Sequence, residues 1–104
     1  MNWRTITLHG GASISRIANI YEMQDRRIPG TKYKVKVLER GLGDFLAMPN
    51  VCVKNKAGEP DWLAGLGRTE FEALQDIIDR MNESLISAER LTPEDFEWSD
   101  PHDF

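Results

Sequence analysis

With a single cysteine in 104 residues, Cys52, the chain cannot close an internal disulfide, so packing alone must hold its fold. Cys52 sits in the apolar run Val51-Cys52-Val53, where a small buried thiol is the ordinary reading and a nucleophile the rarer one. No run of about 18 apolar residues occurs, and Met1-Asn2-Trp3-Arg4-Thr5 lacks the charged-then-apolar order of a secretory leader. The expectation is a soluble, cytoplasmic protein without a membrane partner. The sequence also lacks His-Glu-x-x-His, a phosphate-binding Gly-x-x-x-x-Gly-Lys-Ser/Thr loop and a Gly-x-Ser-x-Gly elbow. Gly65-Leu66-Gly67 has no later glycine to complete a dinucleotide fingerprint and reads as turn chemistry. Basic charge is short as well: the net charge is −4, and nucleic acid is disfavoured as the main ligand because phosphate contacts need a concentrated basic surface.

The charge that is present is divided unevenly along the chain. Residues 1–69 carry 11 Lys/Arg against 6 Asp/Glu, and residues 70–104 carry 2 against 11. Clustered charge of one sign speeds and orients encounters with the opposite sign, so the acidic half suits a basic partner. The length permits one core, and 40% hydrophobic content with three Trp and four Phe suffices to fill it. Residues 1–90 are expected to form a single domain and residues 91–104 an acidic, aromatic tail.

Trp3, Thr5 and Thr7 alternate with Arg4, Ile6 and Leu8, predicting a short first strand that stops at Gly10-Gly11. From Ser13, the residues Ile14, Ile17, Ala18 and Tyr21 recur at helical spacing, favouring a capped helix to about Arg27. The competing reading makes Ile17, Tyr21 and Met23 the inward positions of a strand, hairpinned through Pro29-Gly30. Beyond it, Tyr33, Val35 and Val37 face one way and Lys32, Lys34 and Lys36 the other, a half-exposed strand. Phe45 to Val53 forms the next strand, disturbed at Pro49-Asn50 by a bulge or a sheet edge, and Asp61 to Leu66 another after the turn at Asn55 to Pro60. Short connections imply an antiparallel meander.

Thr69 and Glu72 have capping-box spacing: the hydroxyl accepts from the Glu72 N–H, and the carboxylate reaches back to the N–H of Thr69. Phe71, Leu74, Ile77, Ile78, Met81 and Leu85 then supply an apolar stripe opposite Glu70, Asp76, Asp79, Arg80 and Glu83. The fold expected is α+β: an antiparallel sheet of three to four strands, packed against this C-terminal helix and an N-terminal helix, with the acidic tail beyond.

Gly67-Arg68-Thr69-Glu70-Phe71-Glu72-Ala73-Leu74, preceded by Tyr33-Lys34-Val35-Lys36-Val37 and Phe45-Leu46-Ala47-Met48-Pro49-Asn50-Val51, resembles HicB-like antitoxin domains. The chain is also similar to the small acidic immunity proteins of bacterial contact-dependent growth inhibition. The resemblance spans Lys32 to Leu85. It implies a non-enzymatic, cofactor-free protein that neutralises a cognate toxin, commonly a nuclease. It brings no individual contact residue with it. Without an appended helix pair or basic ribbon, the autorepressor role of some antitoxins does not carry over.

The candidate partner-binding residues are the tail groups Glu94, Asp95, Phe96, Glu97, Trp98, Asp100 and Asp103, joined by Asp76, Asp79 and Glu83 on the helix. Aromatic anchors with an acidic rim suit a basic nuclease cleft, where carboxylates take the places of phosphates. The plainer reading packs the aromatics, Phe104 among them, on the chain's own sheet and leaves the acids in water. Asp100-Pro101-His102-Asp103 has ligand-type side chains without fixed geometry, and His9 is a lone histidine without an acid or base partner. Lys32, Lys34, Lys36 and Arg40 are the residues of an alternative nucleic-acid or regulatory module. Their plainer reading is a wet sheet face that discourages edge aggregation, or pairing with the acidic half.

Overall fold

The alternation of Tyr33, Val35 and Val37 with three lysines places one apolar row on one side of a strand, and the molecule is built against that row. In the computed structural model, which describes residues 2–86 and 91–104, the elements run β1 (Ser15–Gln24), β2 (Lys32–Arg40), β3 (Phe45–Pro49), β4 (Val51–Val53), β5 (Gly65–Gly67), α1 (Glu70–Ile86) and β6 (Phe96–Trp98). One antiparallel sheet has the order β1-β2-β3-β5, and a second, two-stranded sheet pairs β4 with β6. The α+β class and the antiparallel meander follow the expectation. The domain boundary expected at residue 90 lies outside the described residues.

Helix α1 covers the Tyr33/Val35/Val37 face. Ala73, Ile77, Met81 and Leu85, at intervals of four, are buried against Tyr33, Val35, Val37 and Ala47, with Val51, Val53 and Phe96 completing the core. Phe71, expected in the stripe, is instead 70% exposed, and the stripe is displaced to begin at Ala73. The reason lies in β5. A Cβ on Gly65 would sit 2.6 Å from the Ile77 nitrogen, and one on Gly67 2.5 Å from the Glu72 Cβ. The helix therefore rests directly on strand backbone, and only a side chain as small as Ala73 fits between them. Gly65-Leu66-Gly67 is thus not a turn but the edge strand, and the strand expected over Asp61 to Leu66 is confined to Gly65–Gly67.

Two N-terminal expectations are corrected. Trp3–Thr5 forms a single 3-10 turn, with Asn2 accepting the Arg4 N–H at 3.1 Å, in place of a strand. Ile6, Thr7 and Leu8 are exposed: among the described residues the arm finds no strand edge to pair with, and β-formers alone do not make a strand. Residues 13–27 contain β1 and no helix. Its register with β2 slips between Ile17 and Asn19, leaving Ala18 as the extra residue of a bulge. A bulge reverses side-chain parity. Asn19, Tyr21 and Met23 therefore face α1, while Ile17 pairs with Leu38 on the other face and is 55% exposed. Broken alternation leaves apolar residues at three- and four-residue spacing, which imitates a helix.

The loop from β1 to β2 is anchored by Ile28, buried in the core, and by Arg27, which donates to Asn82 of α1 at 3.0 Å. The disturbance expected at Pro49-Asn50 is a change of sheet: β3 ends at Pro49 and β4 begins at Val51. Asn50 holds the corner by accepting the Lys34 N–H on its side chain at 2.8 Å and donating its own N–H to the Lys34 carbonyl at 2.9 Å.

Candidate partner-binding surface

Residues 91–104 carry five carboxylates and no Lys or Arg. The structure folds their described length back onto the body. Asp95 accepts the Thr92 N–H at 2.7 Å and the Thr92 hydroxyl at 3.2 Å, closing the 3-10 turn Pro93–Asp95. Strand β6 then pairs antiparallel with β4, Val53 opposite Phe96 and Val51 opposite Trp98. The ladder is extended by Lys54 N–H to the Asp95 carbonyl at 2.7 Å and Ser99 N–H to the Asn50 carbonyl at 2.9 Å. Phe96 is buried in the core, Trp98 is 42% exposed, and Glu97 lies 3.9 Å from the Lys54 ammonium.

The last turn crosses to the other side of the main sheet. Asp100 accepts the His102 N–H at 2.9 Å, and Pro101–Asp103 forms a turn that delivers Phe104 to Lys36. The Lys36 ammonium lies 4.8 Å from the Phe104 ring centre and donates to the Asp103 carbonyl at 2.6 Å. Since Lys36 projects opposite to Val35 and Val37, this segment lies on the face that α1 does not cover. Between it and the approach to β5 is a cleft of about 450 Å³ lined by Met48, Trp62, Trp98, Asp100, Asp103 and Phe104, among others.

The helix acids do not join this group. Asp76 accepts the Leu66 N–H at 2.9 Å and pairs with Arg80 at 3.2 Å, closing the edge strand against α1. The Leu66 N–H, with Arg80 beside it, holds the Asp76 carboxyl below the usual carboxylate range. Asp79 accepts from Gln75 at 2.9 Å, and it and Glu83 are exposed on the helix. Of the tail acids, Glu94 is exposed on the 3-10 turn, Asp95 serves its own turn and Glu97 faces Lys54. Asp100 and Asp103 alone line the cleft. Trp62 and Met48 belong to the surface although the sequence pattern does not mark them: it places both within strands, and in the structure only Met48 lies in one. The available signal was Trp62 two residues after Pro60, outside any alternating pattern.

The capping box holds in part. Glu72 N–H donates to the Thr69 hydroxyl at 3.1 Å, but the Glu72 carboxylate accepts from Arg68 N–H at 2.8 Å and not from Thr69. Glu70 reaches across the sheet to accept from Asn19 and from the Tyr21 hydroxyl, both at 2.7 Å. That bond to the carboxylate, with burial, raises the Tyr21 phenol above its ordinary value.

Burial pushes the Cys52 thiol up, away from the thiolate needed for nucleophilic work. Among the described residues no three His, Cys, Asp or Glu side chains converge as a metal site would need. No helix among them is long and apolar enough to cross a membrane. Of the basic group, Lys36 is engaged by the terminal segment and Arg40 is paired with Asp44, while Lys32 and Lys34 are exposed. Comparison with protein-family models, with curated proteins and with solved structures returned no match.

Proposed function

We propose that the chain is a non-enzymatic inhibitor of the immunity-protein or antitoxin kind, acting in the cytoplasm on a cognate toxin, a basic nuclease. It binds by its acidic, aromatic C-terminal surface and blocks the toxin's active site or substrate channel. The observation that carries this reading is the pairing of β6 with β4, which holds Trp98 on a strand and leads into the turn that bears Asp100 and Asp103. A segment ordered before encounter does not pay the ordering entropy that a mobile acidic tail would on binding. The resemblance to HicB-like and immunity proteins supports the same reading, and engagement of Lys36 and Arg40 within the chain weighs against the nucleic-acid alternative.

The test is co-purification with a candidate toxin domain encoded by a neighbouring gene, followed by a nuclease assay. Stoichiometric inhibition is expected. Trp98→Ala and the double change Asp100→Asn/Asp103→Asn should each weaken binding at least tenfold, and added salt should weaken it further. Salt-dependent binding of DNA or RNA by the purified chain, lost on neutralising Lys32 and Lys34, would establish the alternative.

A further inference from the structure

The aromatic rings of the terminal segment are already used once by the chain itself. Lys36 supplies a cation to the Phe104 ring at 4.8 Å and a donor to the Asp103 carbonyl at 2.6 Å. A ring face is the negative end of an aromatic quadrupole, and a cation within about 6 Å of it is attracted, more strongly where water is partly excluded. The same Phe104 also lines the cleft, as do Trp62, Trp98 and Met48. Asp100 and Asp103 add carboxylates to this lining. Among the described residues no lysine or arginine lines the cleft, and neither aspartate takes part in an ion pair. Both indoles are close to half exposed, at 46% for Trp62 and 42% for Trp98. Three aromatic groups and two aspartates without an ion-pair partner, set around one concavity, suit a cation carried on an apolar stem.

We propose that this cleft is the receptor for one protruding lysine or arginine side chain of the partner, its alkyl stem against Trp62, Trp98 and Met48 and its charged head toward Asp100 and Asp103. The proposal rests on the reading of the chain as a binder of a basic protein and locates where one side chain of that protein is held. A volume of about 450 Å³ falls in the range of pockets that hold small ligands, about 300–1,000 Å³, and leaves room for bridging water.

The first arm of the test needs no toxin. Butylguanidinium and butylammonium are titrated into the full chain, with butylurea as the neutral counterpart, while the three indole N–H resonances are followed by NMR. Trp3, which already carries the Arg4 guanidinium 5.2 Å from its ring, is the internal reference. The expected result is saturable shifts at Trp62 and Trp98 but not at Trp3, with butylurea at least fivefold weaker. Asp100→Asn/Asp103→Asn should weaken the cations at least threefold and leave butylurea unchanged. The stronger of the two cations identifies which side chain the cleft prefers. Equal binding of butylurea, or shifts spread evenly over all three indoles, overturns the proposal. A toxin complex undiminished by Trp62→Ala also overturns it while sparing the function proposed above. Cation binding in the cleft without any inhibition of the toxin sinks that function and leaves the cleft's chemistry standing.

Discussion

Substituting Gly65 by alanine tests the close approach of α1 to the backbone of β5. The added Cβ would lie 2.6 Å from the backbone nitrogen of Ile77 and 2.9 Å from its Cβ. Carbon contacts are comfortable at about 3.5–4.0 Å, so the helix must lift by about 1 Å or β5 must leave its place beside β3. Neither movement is local. Lifting α1 opens the contacts of Ala73, Ile77 and Met81, all buried, and displacing β5 breaks its ladder with Ala47 and Leu46. Overpacking costs about 1–3 kcal/mol, and the upper end applies because the opposing atom is backbone and cannot rotate away. A loss of about 3 kcal/mol corresponds to a fall of about 12–24 °C in Tm for a domain of this size. Gly11→Ala is the control, since a Cβ there meets nothing within 4 Å. It should change stability by less than about 0.5 kcal/mol. Urea unfolding followed by tryptophan fluorescence measures both variants. Equal stability of the two would refute direct contact between α1 and the β5 backbone.

Three further outcomes follow from named contacts. Tyr21→Phe removes the bond to Glu70 and should cost about 1 kcal/mol in urea unfolding at neutral pH. Because the folded phenol titrates above its ordinary value, its contribution is whole below about pH 10 and is lost as pH rises through the raised value. The variant should therefore lose less stability than the wild type as pH rises above about 10. Asp76→Ala uncaps the Leu66 N–H and should cost about 1 kcal/mol at neutral pH. Its carboxyl is held low, so the difference from wild type should close as pH falls below about 4, when the carboxylate is protonated. Phe96→Ala should cost about 3–5 kcal/mol by emptying a core site, whereas Trp98→Ala should cost less than about 2 kcal/mol. Thermal melts of the two separate the buried half of β6 from its exposed half.

Where period and burial agreed, the fold could be read from the sequence. Tyr33, Val35 and Val37 announced β2, and Thr69 with its hydroxyl cap announced the start of α1. Reading failed where a long-range event reset a local pattern. The bulge at Ala18 converts a strand's alternation into helical spacing, and nothing within residues 13–27 reveals it. Phe71 has the right spacing for the stripe, but the glycines of β5 draw Ala73 to the contact and turn Phe71 outward. The candidate surface was legible as composition only. Trp98, Asp100 and Asp103 were found from the charge of the tail, whereas Trp62 and Met48 reach the same cleft through the turn of the chain after β4 and the outward parity of β3.

The structure also divides the acidic half of the chain according to what its charges do. Asp76 caps a strand edge, Glu70 ties α1 to β1 and Asp95 closes its own turn. These carboxylates are consumed by the fold. Asp100 and Asp103 differ, because the side chain of Asp100 accepts only a local N–H and Asp103 gives Lys36 its carbonyl and not its carboxylate. Without residues 91–104 the chain's net charge would be +1, so its acidity belongs to the segment that crosses to the uncovered sheet face. Folding gains little from carboxylates left unpaired beside aromatic rings, since surface charges contribute about 0–1 kcal/mol even when paired. A cation arriving from outside gains more, because it meets both the carboxylates and the rings in one concavity. The residues least explained by stability are therefore the ones that binding would use.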